Sequence, residues 1–134
     1  MIRSYLMLGC IVIVAGLSAF LVSQVSHTDI EAPTTIKFPS LTGMALEGQT
    51  AFRTSCSSCH GTGGTGTEYG PPLIHKIYKP SHHGDGAFWV AVRNGVRAHH
   101  WQFGNMPPQA DVSDKEITSI IAYVRAVQRY NNIR

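Results

Sequence analysis

Cys56-Ser57-Ser58-Cys59-His60 is the stretch whose residue types and spacing define a chemistry. Two thiols three positions apart can form thioethers to the two vinyl groups of one porphyrin, and the histidine beside the second then falls beneath the iron as an axial ligand. A Cys-x-x-Cys pair can also be a structural zinc site or a redox dithiol. Structural zinc asks for two further ligands at matching spacing, and the chain has no second cysteine pair. His60 directly after Cys59 points to covalent haem attachment.

Other residues have types that suit a haem or a second metal. Five of the seven histidines, His75, His82, His83, His99 and His100, flank the middle of the chain. Imidazole suits copper and zinc, so the two His-His pairs admit a metal site. Adjacent residues point in different directions, however, and histidines on the surface or against haem propionates are the competing reading. Arg97 and Trp101, with a nearby histidine, are candidate propionate partners, because a buried carboxylate needs donors or positive charge. Gly61-Thr62-Gly63-Gly64-Thr65-Gly66 matches the dinucleotide pattern G-x-G-x-x-G. That motif works only between a strand and a helix, and here it runs from the cysteine motif into Gly70-Pro71-Pro72, so the match is discounted.

The chain has 134 residues and a formal charge of +3. Without Arg3, which precedes an apolar run, the eleven basic residues become ten against eight acidic ones, or +2. No basic tract alternates with aromatics, so a nucleic-acid partner is excluded. Cys10 stands alone inside the apolar run, so no disulfide framework is expected. Residues 5–22 form eighteen positions without a charge, long enough for one transmembrane helix. Arg3 on the short flank would keep the N-terminus in the cytoplasm and the rest outside. A cleaved secretory signal is the alternative, but at the candidate sites around residues 17–19 and 23–26 one or other key position is large or polar. The chain thus divides into a signal anchor or transmembrane helix over residues 1–25, a Pro-, Ser- and Thr-containing linker over 26–43 and a domain over 44–134.

Three helices should position the motif. The first begins at Met44 and leads into the cysteines. A second runs over residues 86–94, capped by Asp85 and stopped by Gly95, with Phe88, Ala91 and Val92 on one face towards the haem pocket. The last is the strongest signal: Ser113-Asp114-Lys115-Glu116 fits a capping box, Val112 can staple onto Ile117, and Ile117, Ile120, Ile121, Val124 and Val127 form an apolar stripe.

Gly48, Phe52, Cys56, Cys59 and His60, then Gly70-Pro71-x-Leu73, Gly104-Asn105-Met106-Pro107 and Ile120-x-x-Tyr123 occur in an order that resembles the class I monohaem c-type cytochromes, in a membrane-anchored bacterial form. The likeness spans about residues 45–128. It implies an all-α class I cytochrome c fold, three to five helices around one covalently bound haem c, preceded by a single N-terminal transmembrane helix. It also implies that Gly48 lets the first helix cross the last at close range. The Pro71 carbonyl would accept the Nδ1 proton of His60, Leu73 would pack on the haem, and Met106 would be the second axial ligand. Bis-histidine ligation through His99 or His100 is the competitor to Met106.

With both axial positions filled by protein, the iron would have no place for a small-molecule substrate. The expected function is one-electron transfer without enzymatic activity, at the outer face of the cytoplasmic membrane, with the domain in the periplasm and redox proteins as donor and acceptor. A cytochrome subunit of a larger membrane oxidoreductase complex is an alternative; a haem-based ligand sensor and a copper-handling protein are more distant ones.

Overall fold

Over the residues it describes, 35–134, the computed structural model contains four helices and no strand: α1 (Gly43–Ser55), α2 (Ser57–His60), α3 (Asp85–Asn94) and α4 (Asp114–Tyr130), with 3-10 turns at Thr62–Gly64 and Lys76–Tyr78. None of these helices is long and apolar enough to cross a membrane. The apolar run over residues 5–22 and the first part of the linker lie outside the described residues.

α4 forms where the sequence places it, and for the stated reasons. The Ser113 side chain accepts from the Glu116 backbone N–H, and the Glu116 carboxylate accepts from the Ser113 N–H at 2.8 Å, so two N-terminal amides that lack helical partners are satisfied reciprocally. Val112 and Ile117 are both buried beside this cap. The stripe from Ile117 through Ile120, Ile121, Val124 and Val127 forms the core together with Phe52, Ile74, Val92 and Tyr123.

The most extensive helix contact is between α1 and α4. At its centre is Gly48, where a Cβ would lie 1.8 Å from the Ser119 carbonyl oxygen and 2.3 Å from its carbon. One turn further on, Phe52 meets Tyr123 with ring centroids 5.4 Å apart and planes tilted by 55°, an aromatic contact worth about 0.5–1.5 kcal/mol beyond the area buried. Both rings are about 1 % exposed, so the crossing is dry.

Two expectations need correction. Composition assigns residues 26–43 to a free tether, but the part of it that is described packs on the domain, and the compact unit begins at Thr35. Ile36 and Leu41 rest against the core, and the Lys37 backbone exchanges two hydrogen bonds with the Asn131 side chain, at 2.9 and 2.7 Å. Isolated apolar residues among prolines carry no periodicity, so their burial is decided by the surface they meet. Asp85, in turn, does not cap α3. Gly84 holds that position without a side-chain bond, because the Asp85 carboxylate is taken by Arg125 Nε at 2.7 Å.

The Gly48→Ala variant should lose on the order of 3 kcal/mol of stability, since the obstructing atoms are backbone and cannot rotate away. Denaturant unfolding of the haem-loaded protein measures this, and a midpoint equal to the wild type would mean the helices do not need the glycine to cross.

Candidate haem site

The five-residue motif straddles a break between two helices. Cys56 leaves helical geometry at φ −124°, although its N–H still bonds the Phe52 carbonyl, and the His60 N–H returns to the Cys56 carbonyl, both at 2.9 Å. α2 is therefore a single turn set at an angle to α1, and it turns His60 inward. His60 is buried, with Nδ1 2.9 Å from the Pro71 carbonyl. A donor at Nδ1 leaves the Nε2 lone pair as the ligand and fixes the ring orientation. Burial lowers the His60 pKa from its ordinary value, and the bond to Pro71 opposes that only in part. The imidazole is thus kept neutral, as a metal ligand must be.

The Pro71 carbonyl is held from its own side. The N–H groups of Leu73 and Ile74 both bond the Gly64 carbonyl, at 2.8 and 3.1 Å, so the glycine loop serves as a brace for residues 71–74. That loop has no strand before it, in keeping with the rejection of the dinucleotide reading.

On the other side, Met106 is pinned by its backbone. Val96 and Met106 exchange N–H···O bonds, each 2.9 Å, in an isolated antiparallel bridge. Gly95 makes the approach possible: its φ is +75°, and a Cβ there would sit 2.5 Å from the Met106 carbonyl oxygen. The end of α3 and the methionine loop are thereby locked together.

Between these walls lies a cavity of about 620 Å³. His60, Cys56, Pro71 and Leu73 line it from the motif side, Phe88, Ala91 and Val92 from α3, and Met106, Arg97 and Trp101 from the far loop. The lining is dominated by apolar groups, with a sulfur and an imidazole nitrogen among them, which suits a large flat apolar group with a metal at its centre. Cys59 is exposed and lies outside the lining, so the structure brings together every sequence-assigned site residue except this one. The Cys56 thiol is pushed up to about 11, mainly by burial and then by neighbouring Cys59. A reactive redox dithiol relies on a depressed thiol pKa, and burial of Cys56 works against that.

Compared with models of known families, residues 45–128, more than half of the chain, match the Cytochrome c model. The chain belongs to the cytochrome c family. No curated protein matches it. Its cofactor is therefore covalently bound haem c, and haem-based electron transfer is its chemistry. The cavity of this cytochrome fits that group, with Cys56, Cys59 and His60 presenting the attachment motif.

Trp101 has a partner within the protein. Its single indole N–H donates to the Tyr78 hydroxyl at 3.1 Å, so the donor left on that wall for a carboxylate is the Tyr78 O–H. Burial raises the Tyr78 pKa, with the Trp101 bond pulling the other way, so the phenol keeps its proton at neutral pH. Arg97 is exposed and, among the described residues, has no ion pair, which leaves its charge available at the cavity.

Sequence reasoning missed Arg125. Its side chain, 6 % exposed, donates to Asp85 at 2.7 Å, to the Tyr78 carbonyl at 2.7 Å, to Gln128 Oε1 at 2.6 Å and to the His83 carbonyl, while its guanidinium covers the Phe88 ring at 4.8 Å. Gln128 extends the network to the Leu73 carbonyl at 2.9 Å. These two residues tie the irregular segment between Leu73 and Asp85 to α4 and so shape one wall of the cavity. A signal existed: Arg125 follows Ile121, and Gln128 follows Val124, at one-turn spacing along the apolar stripe, where a polar residue must be buried with partners.

Arg125→Ala should therefore cost about 3 kcal/mol, because the His83 carbonyl and Gln128 Oε1 lose this donor and the Tyr78 carbonyl keeps only Gln128. Asp85→Ala should cost less, since that carboxylate is 64 % exposed and the guanidinium keeps its carbonyl and Gln128 partners. Thermal unfolding of both variants checks the contrast, and equal losses would refute the assignment of Arg125 as the hub.

Proposed function

We propose that this cytochrome is a membrane-tethered carrier of single electrons, with one haem c ligated by His60 and Met106 and a domain facing the periplasm. The observation that carries the reading is that His60 and Met106, forty-six residues apart in sequence, line one apolar cavity, each with its backbone or ring held by a specific hydrogen bond. When bound, haem c supplies a reversible one-electron step between ferric and ferrous iron.

The chain supplies the rest. Cys56 and Cys59 provide the sulfurs for covalent attachment. His60, oriented by Pro71, offers a neutral nitrogen, and Met106 offers a soft thioether, which favours the ferrous state and raises the potential relative to harder ligand pairs. Pro107 and Pro108 stiffen the loop behind the sulfur. Two protein ligands leave no position for substrate, so electrons pass at the haem edge to and from protein partners. The uncharged run over residues 5–22, preceded by Arg3, supports retention at the cytoplasmic membrane, where a tether raises the effective concentration near a membrane-bound partner.

Met106→Ala should abolish the iron–sulfur band at the red end of the oxidised spectrum and lower the reduction potential while the haem stays attached. An unchanged oxidised spectrum would refute Met106 as a ligand. The reduced wild type should bind carbon monoxide negligibly and the variant readily, whereas rapid binding by the wild type would sink the carrier reading.

A further inference from the structure

Four histidines that the haem ligation leaves unused converge at one edge of the domain. His82 and His83 come from the turn before α3, and His99 and His100 from the loop after it. One ring nitrogen from each of His82, His83 and His100 lies within 4.8 Å of the other two. The closest pair, His82 Nε2 and His100 Nε2, are 3.3 Å apart. Two nitrogens at about 2.0–2.1 Å from one tetrahedral metal ion are themselves about 3.3 Å apart, so this spacing is that of two ligands on a shared ion.

The third histidine is oriented as metal-bound histidines usually are. His83 Nδ1 lies 2.8 Å from the Ile77 carbonyl, which calls for a proton on Nδ1 and leaves Nε2 as a lone pair. Its own carbonyl is held by Arg125, so the backbone that presents the ring is fixed from the core. The loop carrying His100 is fixed as well, by the Val96–Met106 bridge and by the bond from the Ala98 N–H to Asn105 Oδ1 at 3.0 Å. Three imidazoles are thus brought together from segments on either side of α3, with the backbones carrying His83 and His100 held by contacts that do not involve the rings.

We propose that His82, His83 and His100 form a binding site for a divalent late-transition-metal ion, Cu²⁺ or Zn²⁺. The donor set is all nitrogen, which suits both ions, and copper should bind more tightly than zinc. His83 and His100 also line the cavity, whereas His82 does not, so the ion sits at the outer rim of the haem pocket. The site is distinct from the haem iron and from its His60 ligand.

The test uses the full chain with haem attached, without an affinity tag, stripped of loose metal by a chelator. The protein is dialysed against Zn²⁺ and, separately, Cu²⁺, with bound metal and haem iron counted by mass spectrometry. The expected result is one added ion per haem, with a copper spectrum by electron paramagnetic resonance showing several equivalent nitrogen ligands. His82→Ala, an exposed change outside the cavity lining, should weaken binding at least ~10-fold, since loss even of an outer-shell partner costs about 10–100-fold. His100→Ala should do the same, and His99→Ala should leave the stoichiometry at one. No added ion, or binding that His82→Ala and His100→Ala leave unchanged, would overturn the site. Because haem iron is counted in the same samples, failure of the metal site is separated from failure of haem attachment.

Discussion

The approach of α1 to α4 at Gly48 sets the geometry on which the remainder of the domain depends. A Cβ there would overlap the Ser119 carbonyl, so absence of a side chain is what brings the two helix backbones into contact. Once they touch, Phe52 and Tyr123 close over the crossing, and the end of α1 points the cysteine motif at a fixed place beside α4. A domain of this size buries a smaller share of its surface than a larger one does. One dry crossing and one prosthetic group supply the packing that additional helices would provide in a larger domain.

Much of the cavity wall belongs to segments with little regular structure, whose backbone groups need partners from elsewhere. Three devices provide them. The Gly64 carbonyl receives two amides from the Leu73–Ile74 segment, the Val96–Met106 bridge closes the far loop, and Arg125 with Gln128 collects the carbonyls between Leu73 and His83. Each device ties an irregular segment to a group outside it and uses little apolar surface. Haem binding and folding of such walls are coupled, because a cavity of about 620 Å³ left dry loses the contacts its lining residues would otherwise make.

The polar chemistry sits at two places on an otherwise apolar cavity. His60 and its Pro71 acceptor lie on the buried side, where loss of water keeps the imidazole neutral. Tyr78, Arg97 and the histidines lie towards the rim, where solvent can stabilise charge. Haem-based electron transfer suits this division: a low-dielectric surround on the buried side, and an accessible rim where the charge of carboxylates is balanced.

The cysteine motif, the capping box of α4, its apolar stripe and the glycine at Gly48 were legible in the sequence, because each is a local pattern with a local physical cause. The family likeness alone assigns His60, Pro71, Leu73 and Met106 to one site. What the sequence could not express is pairing across distance. Trp101 directs its N–H to Tyr78, Asp85 leaves its cap for Arg125, and Val96 meets Met106, because each of these groups takes the partner that folding brings near it. Residues 35–42 dock for the same reason. Sequence alone thus determined which groups could hold a haem. The tertiary structure decided which polar groups were already engaged and which stood free at the rim, since a hydrogen bond depends on position in space rather than on place in the chain.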